Sequence, residues 1–357
     1  MARRRGPQKG QDNLRASEAE LAADNEGLLS SLDVRTGFIT GVTFETPKAV
    51  QYQVVDGLAI FEGCICLGTV EEMERSAGLV QTSAADAGDL IAHGVAITGA
   101  AFRWPNVLMP YEIDSALPNK QRVTDAIAHW QANTNMRYVE RTAANAAQYP
   151  NYVRIFRGDG CWSYVGMQGG KQDLSLADGC GFGATVHELG HAWGLWHEQS
   201  REDRDSYVTI NWQNIQAGME HNFNQHISDG DDIGPYDYGS IMHYGMYAFS
   251  KNNLPTIVPK QAGVTIGQRN GLSTGDIAAV HHIYRTLHYN LGVSLVYSTP
   301  HSKNAWVYFP GLGWRKVHPD APAGVTNTFE VLAVSGATGR KVHAELDGDH
   351  VYAAYGT

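Results

Sequence analysis

The chain predicts an α+β protein in three parts: an N-terminal tail and β-rich front segment (1–95), a mixed middle domain (96–286) and a small all-β C-terminal domain (287–357). Three observations lead there. Short apolar runs alternate with turns from Phe38 to about Gly68, helical spacing first becomes clear after Arg103, and everything beyond Arg285 reads as strand and turn. With 357 residues, 43% hydrophobic and 18% charged, packed domains are expected rather than disorder.

Residues 1 to about 30 read as a solvated polar tail. FITGVTF, YQVV and LAIFEGCICLG then read as short strands, and GLVQTSAADAGD as a linker or exposed loop. RWPNVLMPYEID enters the middle domain as a strand. In KQRVTDAIAHWQANT, Val123, Ile127 and Trp130 recur at helical spacing, with Pro118 just upstream. YVRIFRG and CWSYVGM read as strands. A helix follows GCGFGAT, starting near Ala184 or Thr185, and another covers STGDIAAVHHIYR with Ser273 or Thr274 as N-cap. LGVSLVYS, NAWVYFPGLGWRKV, NTFEVLAVSG and RKVHAELDGDHVYAAY are expected to build the C-terminal strands.

The formal net charge is −10, and basic residues cluster only at Arg3, Arg4 and Arg5, which argues against a nucleic-acid partner. No run of about 18 apolar residues predicts a membrane span. The polar opening lacks the apolar stretch of a secretory leader, so either export does not use that route or the start lies upstream or has been replaced.

The stretch VHELGHAWGLWHEQSREDRD carries the chemistry. On a helix His187 and His191 lie one turn apart on one face and can share a metal ion. Gly194 can take a left-handed conformation that turns the chain and returns His197 as a third ligand. Three neutral imidazoles leave zinc an open position, the mark of a catalytic rather than a structural site. Glu188, displaced around the helix from the first ligand, can reach a water beside the metal and act as general base and acid.

HELGHAWGLWHEQSREDRD resembles the extended zinc signature of the astacin metallopeptidases in the metzincin clan, with Glu198, Arg201, Asp203, Arg204 and Asp205 matching the astacin extension. The resemblance covers about residues 96 to 285, plus a piece of the upstream region, and implies a two-lobed catalytic domain behind an inhibitory propeptide. It implies one catalytic zinc, with Met242 of YGSIMHYGMYAFS as the methionine beneath it and Tyr244 as the tyrosine that stabilises the oxyanion. His243 is left as structural. The resemblance also implies a Cys161–Cys180 disulfide and an upper edge strand at VGMQGG onto which an extended substrate adds. No cysteine follows Cys180, a departure from the animal pattern that favours a bacterial-type member.

Family members carry a front segment whose FxGD aspartate blocks the zinc. Here Phe61-Glu62-Gly63-Cys64 places cysteine at that aspartate. Zinc takes thiolates readily, so Cys64, with Cys66 as the alternative, is the expected fourth ligand of a latent form. An activating protease would cut before Arg103, around His93 to Thr98, and the new N-terminus would settle near Glu198. Lys171 or Arg269 could match an acidic substrate residue, and Trp306 and Trp314 could bind carbohydrate or protein or fill a core. The expected activity is latent, zinc-dependent hydrolysis of peptide bonds in proteins, in a secreted chain inhibited by its own propeptide. The alternatives are an inactive zinc-holding binding protein and a zinc amidase of cell-wall peptides.

Overall fold

The structure is a computed structural model and describes residues 15–39, 48–75, 102–225, 232–298, 304–318, 325–347 and 350–356. The linker expected at 78–89 and the cleavage region at 93–98 lie outside the described residues. Two compact units emerge, 1–280 and 281–357, so the front segment belongs to the same unit as the middle domain. The mixed α+β class is the one observed.

Within the tail expected up to about residue 30, the described part from residue 15 is not a free solvated tail. Residues Glu18–Asp24 form a helix (α1) fixed by a Ser17/Glu20 capping box. The strands β1 (Val34–Ile39), β2 (Lys48–Val55), β3 (Leu58–Phe61) and β4 (Ile65–Thr69) follow, with a helical turn over 70–75 (α2). The middle region adds β5 (Leu108–Ile113), β6 (Arg137–Glu140), β7 (Tyr152–Phe156), β8 (Cys161–Ser163) and β9 (Lys171–Leu176). All nine strands share one sheet, in the order β1-β2-β3-β4-β8-β9-β7-β5-β6. The join between front and middle is a parallel pairing of β4 with β8, at Ile65 and Ser163.

That join corrects the expected substrate edge. VGMQGG is turn and coil, and the strand edge that receives a neighbour is β8, just upstream. Gly166, Gly169 and Gly170 all adopt positive φ, which breaks a pleated strand there.

Helix α3 (Gln121–Asn133) buries Val123, Ile127 and Trp130 as its spacing requires. The Trp130 indole donates to the Val186 carbonyl at 3.1 Å, which ties α3 to helix α4 (Phe182–Ala192). Helix α4 is buried from Gly183 to Ala192, and it starts at Phe182 rather than at Ala184 or Thr185. Strands β10 (Val208–Ile210) and β11 (Ile257–Pro259) form a small separate ladder, and α5 (Thr274–Ile283) begins on the expected Ser273 cap, whose Oγ accepts from Asp276 N at 2.9 Å.

In the second unit, β12 (Thr286–Gly292), β13 (Leu295–Ser298), β14 (Ala305–Phe309), β15 (Gly313–Val317), β16 (Lys341–Asp347) and β17 (His350–Gly356) form one sheet in the order β12-β16-β17-β15-β14-β13. One segment departs from the expectation: NTFEVLAVSG is helical, within α6 (Val325–Thr338). Its β-branched residues favour a strand, but Thr328, Leu332 and Ser335 bury at helical spacing, and tertiary packing overrides propensity.

Candidate metal centre

Two histidines come from α4 itself. The His187 and His191 rings sit edge-to-face, 4.7 Å between centroids. The helix then stops: Gly194 has φ +105°, and its N–H donates to the His191 carbonyl at 2.7 Å. This backbone region, which L side chains rarely adopt, folds the chain back. His197 Nε2 thereby arrives 3.3 Å from His187 Nε2.

Each ring is held by its other nitrogen. Nδ1 of His187 donates to the Ile241 carbonyl (2.8 Å), that of His191 to the Leu195 carbonyl (2.8 Å) and that of His197 to Glu62 Oε2 (2.7 Å). These bonds fix the tautomer that turns a lone pair on Nε2 toward the shared centre. Burial holds the His187 and His191 imidazoles well below their usual range, helped by the neighbouring imidazoles and Arg269 and opposed at His191 by Glu62, which favours the neutral form that can donate a lone pair.

The front segment supplies a fourth donor. Cys64 Sγ lies 3.6 Å from His187 Nε2, 3.5 Å from His191 Nε2 and 3.2 Å from His197 Nε2. All four ligand atoms fall within 4.8 Å of one another, and all four residues are buried. Zinc bonds of about 2.3 Å to sulfur and about 2.0–2.1 Å to nitrogen set tetrahedral edges of about 3.5 Å (S···N) and about 3.3 Å (N···N). The observed edges fit that cage. Burial raises the Cys64 thiol well above its ordinary range, and a cation among these donors would reverse this by taking the thiolate. Cys66 is turned away: its Sγ faces the Gly68 carbonyl at 3.8 Å, and burial pushes its pKa up to about 12.

Spacing alone did not point to Glu62. It sits at φ +46° beside Gly63 at +70°, a tight turn that presents Cys64. Besides holding His197, its carboxylate accepts from Ser200 Oγ at 2.6 Å, and its carbonyl accepts the Tyr244 hydroxyl at 2.5 Å. Glu188 is fully buried in the same place. Its Oε2 has no hydrogen-bond partner among the described residues, and burial raises its carboxyl well above the usual range.

Beneath the histidines, Met242 is buried (2% exposed) and its carbonyl accepts from Glu198 N at 3.2 Å. Asp276 also escaped the sequence reading, although Ser273-x-x-Asp276 is a capping-box spacing. Its carboxylate accepts from Ser240 Oγ (2.6 Å), Ile241 N (2.9 Å) and Ser273 N (2.8 Å). It thereby anchors Ile241, the residue whose carbonyl orients His187. His243 is no ligand: it lies between the Tyr236 hydroxyl (2.6 Å) and the Tyr244 carbonyl (2.7 Å).

Glu198 accepts from Asp237 N at 2.7 Å and lies 3.6 Å from Arg201 Nε, and burial raises its carboxyl to about 8. In the motif extension, Arg201 makes a two-pronged pair with Asp203, while Arg204 pairs with Asp205 and donates to the Gln199 and Phe223 carbonyls. Of the two candidate cations, Arg269 adjoins the centre and donates to the Ile241 and His243 carbonyls (3.1 and 3.2 Å). Lys171 is half-exposed and lies 3.6 Å from Asp173. Cys161 and Cys180 form a disulfide, with Cα atoms 6.0 Å apart.

Comparison with known proteins points to one family. Residues 96–285 match the Astacin peptidase family. The chain is similar to zinc metalloproteinase nas-15 of Caenorhabditis elegans, 46% identical over 51% of this chain and 32% of that protein. It is also similar to meprin A subunit beta of Homo sapiens, 34% identical over 72% of this chain and 34% of that protein. The matched part thus spans about a third of the length of these relatives. Among solved structures, high choriolytic enzyme 1, a hatching enzyme zinc-protease from Oryzias latipes, aligns at a TM-score of 0.46 with 38% identity, over 51% of this chain and 92% of that one. The family match extends over more than half of the 357 residues and contains the three histidines on α4 and its return, so this chain belongs to the astacin family of zinc metallopeptidases.

Proposed function

We propose that the chain is a latent zinc endopeptidase whose propeptide, residues 1–95, inhibits it through Cys64. The observation that carries this reading is the Cys64 thiol seated on three imidazole nitrogens at tetrahedral spacing.

His187, His191 and His197 would hold the zinc, with Cys64 as the fourth donor until the front segment leaves. When bound, zinc lowers the pKa of water and polarises the scissile carbonyl. Glu188 takes the proton of the attacking water and passes it to the leaving amine, so that water adds to the carbonyl as the C–N bond breaks. Its burial raises its proton affinity, which suits a group that must both take and give a proton. The Tyr244 hydroxyl, now held by the Glu62 carbonyl, is released with the front segment and donates to the oxyanion. Met242 supports the floor of the site.

Latency has a second component in the backbone. Strand β4 occupies the β8 edge, where Ser163 N donates to the Cys64 carbonyl at 3.0 Å. An extended substrate needs the same edge, so β4 and substrate compete. After an activating protease cuts, the new N-terminus reaches Glu198, where an ammonium group would offset the burial that now raises its carboxyl. The disulfide and the family fit secretion into an oxidising space.

The test is casein hydrolysis by the full chain and by Cys64→Ala, each before and after limited trypsin treatment. We expect wild type to cut only after trypsin, and Cys64→Ala to leak several-fold above uncut wild type. An uncut Cys64→Ala protein as silent as wild type, though active once trypsin-treated, would remove Cys64 from the mechanism.

A further inference from the structure

We infer that residues 16–29 form a second lock, bound to both lips of the cleft without the metal, which keeps the front segment seated when the Cys64 contact is broken. This rests on the latency reading above. It concerns the stretch that composition assigned to a solvated tail.

The contacts are built like recognition of an extended strand. On the lower lip, just past Tyr244, Tyr247 N donates to Asp24 Oδ2 at 2.7 Å and Phe249 N donates to Asn25 Oδ1 at 2.7 Å. The Asn25 amide nitrogen returns a bond to the Tyr247 carbonyl at 3.2 Å. One side-chain amide thus pairs with a carbonyl and an N–H two residues apart, the pattern a neighbouring strand would offer. Ala16 N adds a bond to the Asn253 carbonyl at 2.9 Å.

The other lip is the β8 edge. Cys161 N donates to the Gly27 carbonyl at 3.0 Å, and Gly27, at φ +73°, lies so close that a Cβ there would come 2.0 Å from Cys161 Sγ. Leu29 N then donates to the Gly63 carbonyl at 2.8 Å, one residue before Cys64. Residues 16–29 therefore run from lip to lip and end on the metal-binding turn.

Two acidic side chains complete the fit. The Asp24 carboxylate rests against the backbone after Tyr244, where a Cβ on Gly245 would lie 1.9 Å from Asp24 Oδ1. Burial raises the carboxyls of Asp24 and Glu26, and the Arg269 guanidinium draws both back. An isolated helix of α1's seven residues is marginal in water, so its order comes from these partners.

The experiment uses the full, uncut chain as wild type, Cys64→Ala, the pair Asp24→Ala/Asn25→Ala, and the triple variant. Hydrolysis of an internally quenched peptide is measured for each and normalised to the same protein after complete trypsin activation. We expect the triple variant to leak at least tenfold more than Cys64→Ala alone. A triple variant no leakier than Cys64→Ala would overturn the lock. A second arm does not depend on activity: hydrogen exchange at Tyr247 and Phe249 in the chelator-treated full chain. Protection should persist without zinc in wild type and be lost in Asp24→Ala/Asn25→Ala, and equal exchange in the two would also overturn it. If trypsin-treated wild type has no peptidase activity, the proposed function fails while the exchange arm still decides the lock.

Discussion

Residues 187–197 and the framework around them build one centre by opposite means. The first is a single local run in which helix spacing and one left-handed glycine bring three imidazoles together. The second is assembled from Glu62, Ile241, Leu195 and Asp276, which fix the orientation of each ring and, apart from Leu195, lie far away in the chain. Metal-binding capacity is therefore encoded locally, whereas the precision of the donors, and with it the proposed latency, depends on long-range closure. Perturbing each region separately tests this division.

The largest effect should come from within the local run. Glu188→Gln keeps the shape but removes the proposed base, and general acid–base catalysis contributes about 10²–10⁴-fold. The trypsin-activated variant should fall by at least that factor on casein while its zinc content, read by elemental analysis, stays at wild-type level. Equal loss of zinc would mean that Glu188 acts on the ligands and not on the substrate.

Chelation probes the framework next. A ligand bound only by the folded state adds about 2.7 kcal/mol at 100 times its Kd, and each kcal/mol moves Tm by about 2–4 °C in a domain of this size. Thermal denaturation of the uncut chain should thus shift down by about 5–10 °C on removing zinc. A much larger collapse would show that the framework, for all its hydrogen bonds, does not preform the cage.

The same division explains what could be read from the sequence. The His187, His191, Gly194 and His197 spacing was legible because each relation stays within a helical turn or one glycine. Cys64 was legible only through its place in a motif. Glu62 was not, since nothing in its neighbourhood marks a residue that must reach both His197 and Ser200. Residues 16–29 were misread for a related reason: polar composition describes solvation, while Asp24 and Asn25 spend their polarity on the backbone of Tyr247 and Phe249. The Ser17-x-x-Glu20 capping spacing was the available clue. Helix α6 shows the reverse error, in which local propensity spoke for a strand and packing chose a helix.

The smallest effects separate two carboxylates that orient different ligands. Asp276 supports His187 through Ile241 from outside the front segment, whereas Glu62 supports His197 from within it, so under the proposed activation only the first contact would survive. Loss of a group that orients a ligand typically weakens metal binding by about 10–100-fold. Asp276→Asn should therefore loosen zinc, measured by competition with a chelating dye, both before and after trypsin. Glu62→Gln should loosen it less, since the amide still accepts through its oxygen, and only before trypsin; the activated Glu62→Gln protein should match wild type in both zinc affinity and casein turnover. Should Glu62→Gln remain impaired after the front segment is gone, Glu62 would have shaped the centre permanently during folding, and the line between a local catalytic half and a removable inhibitory half would have to be redrawn.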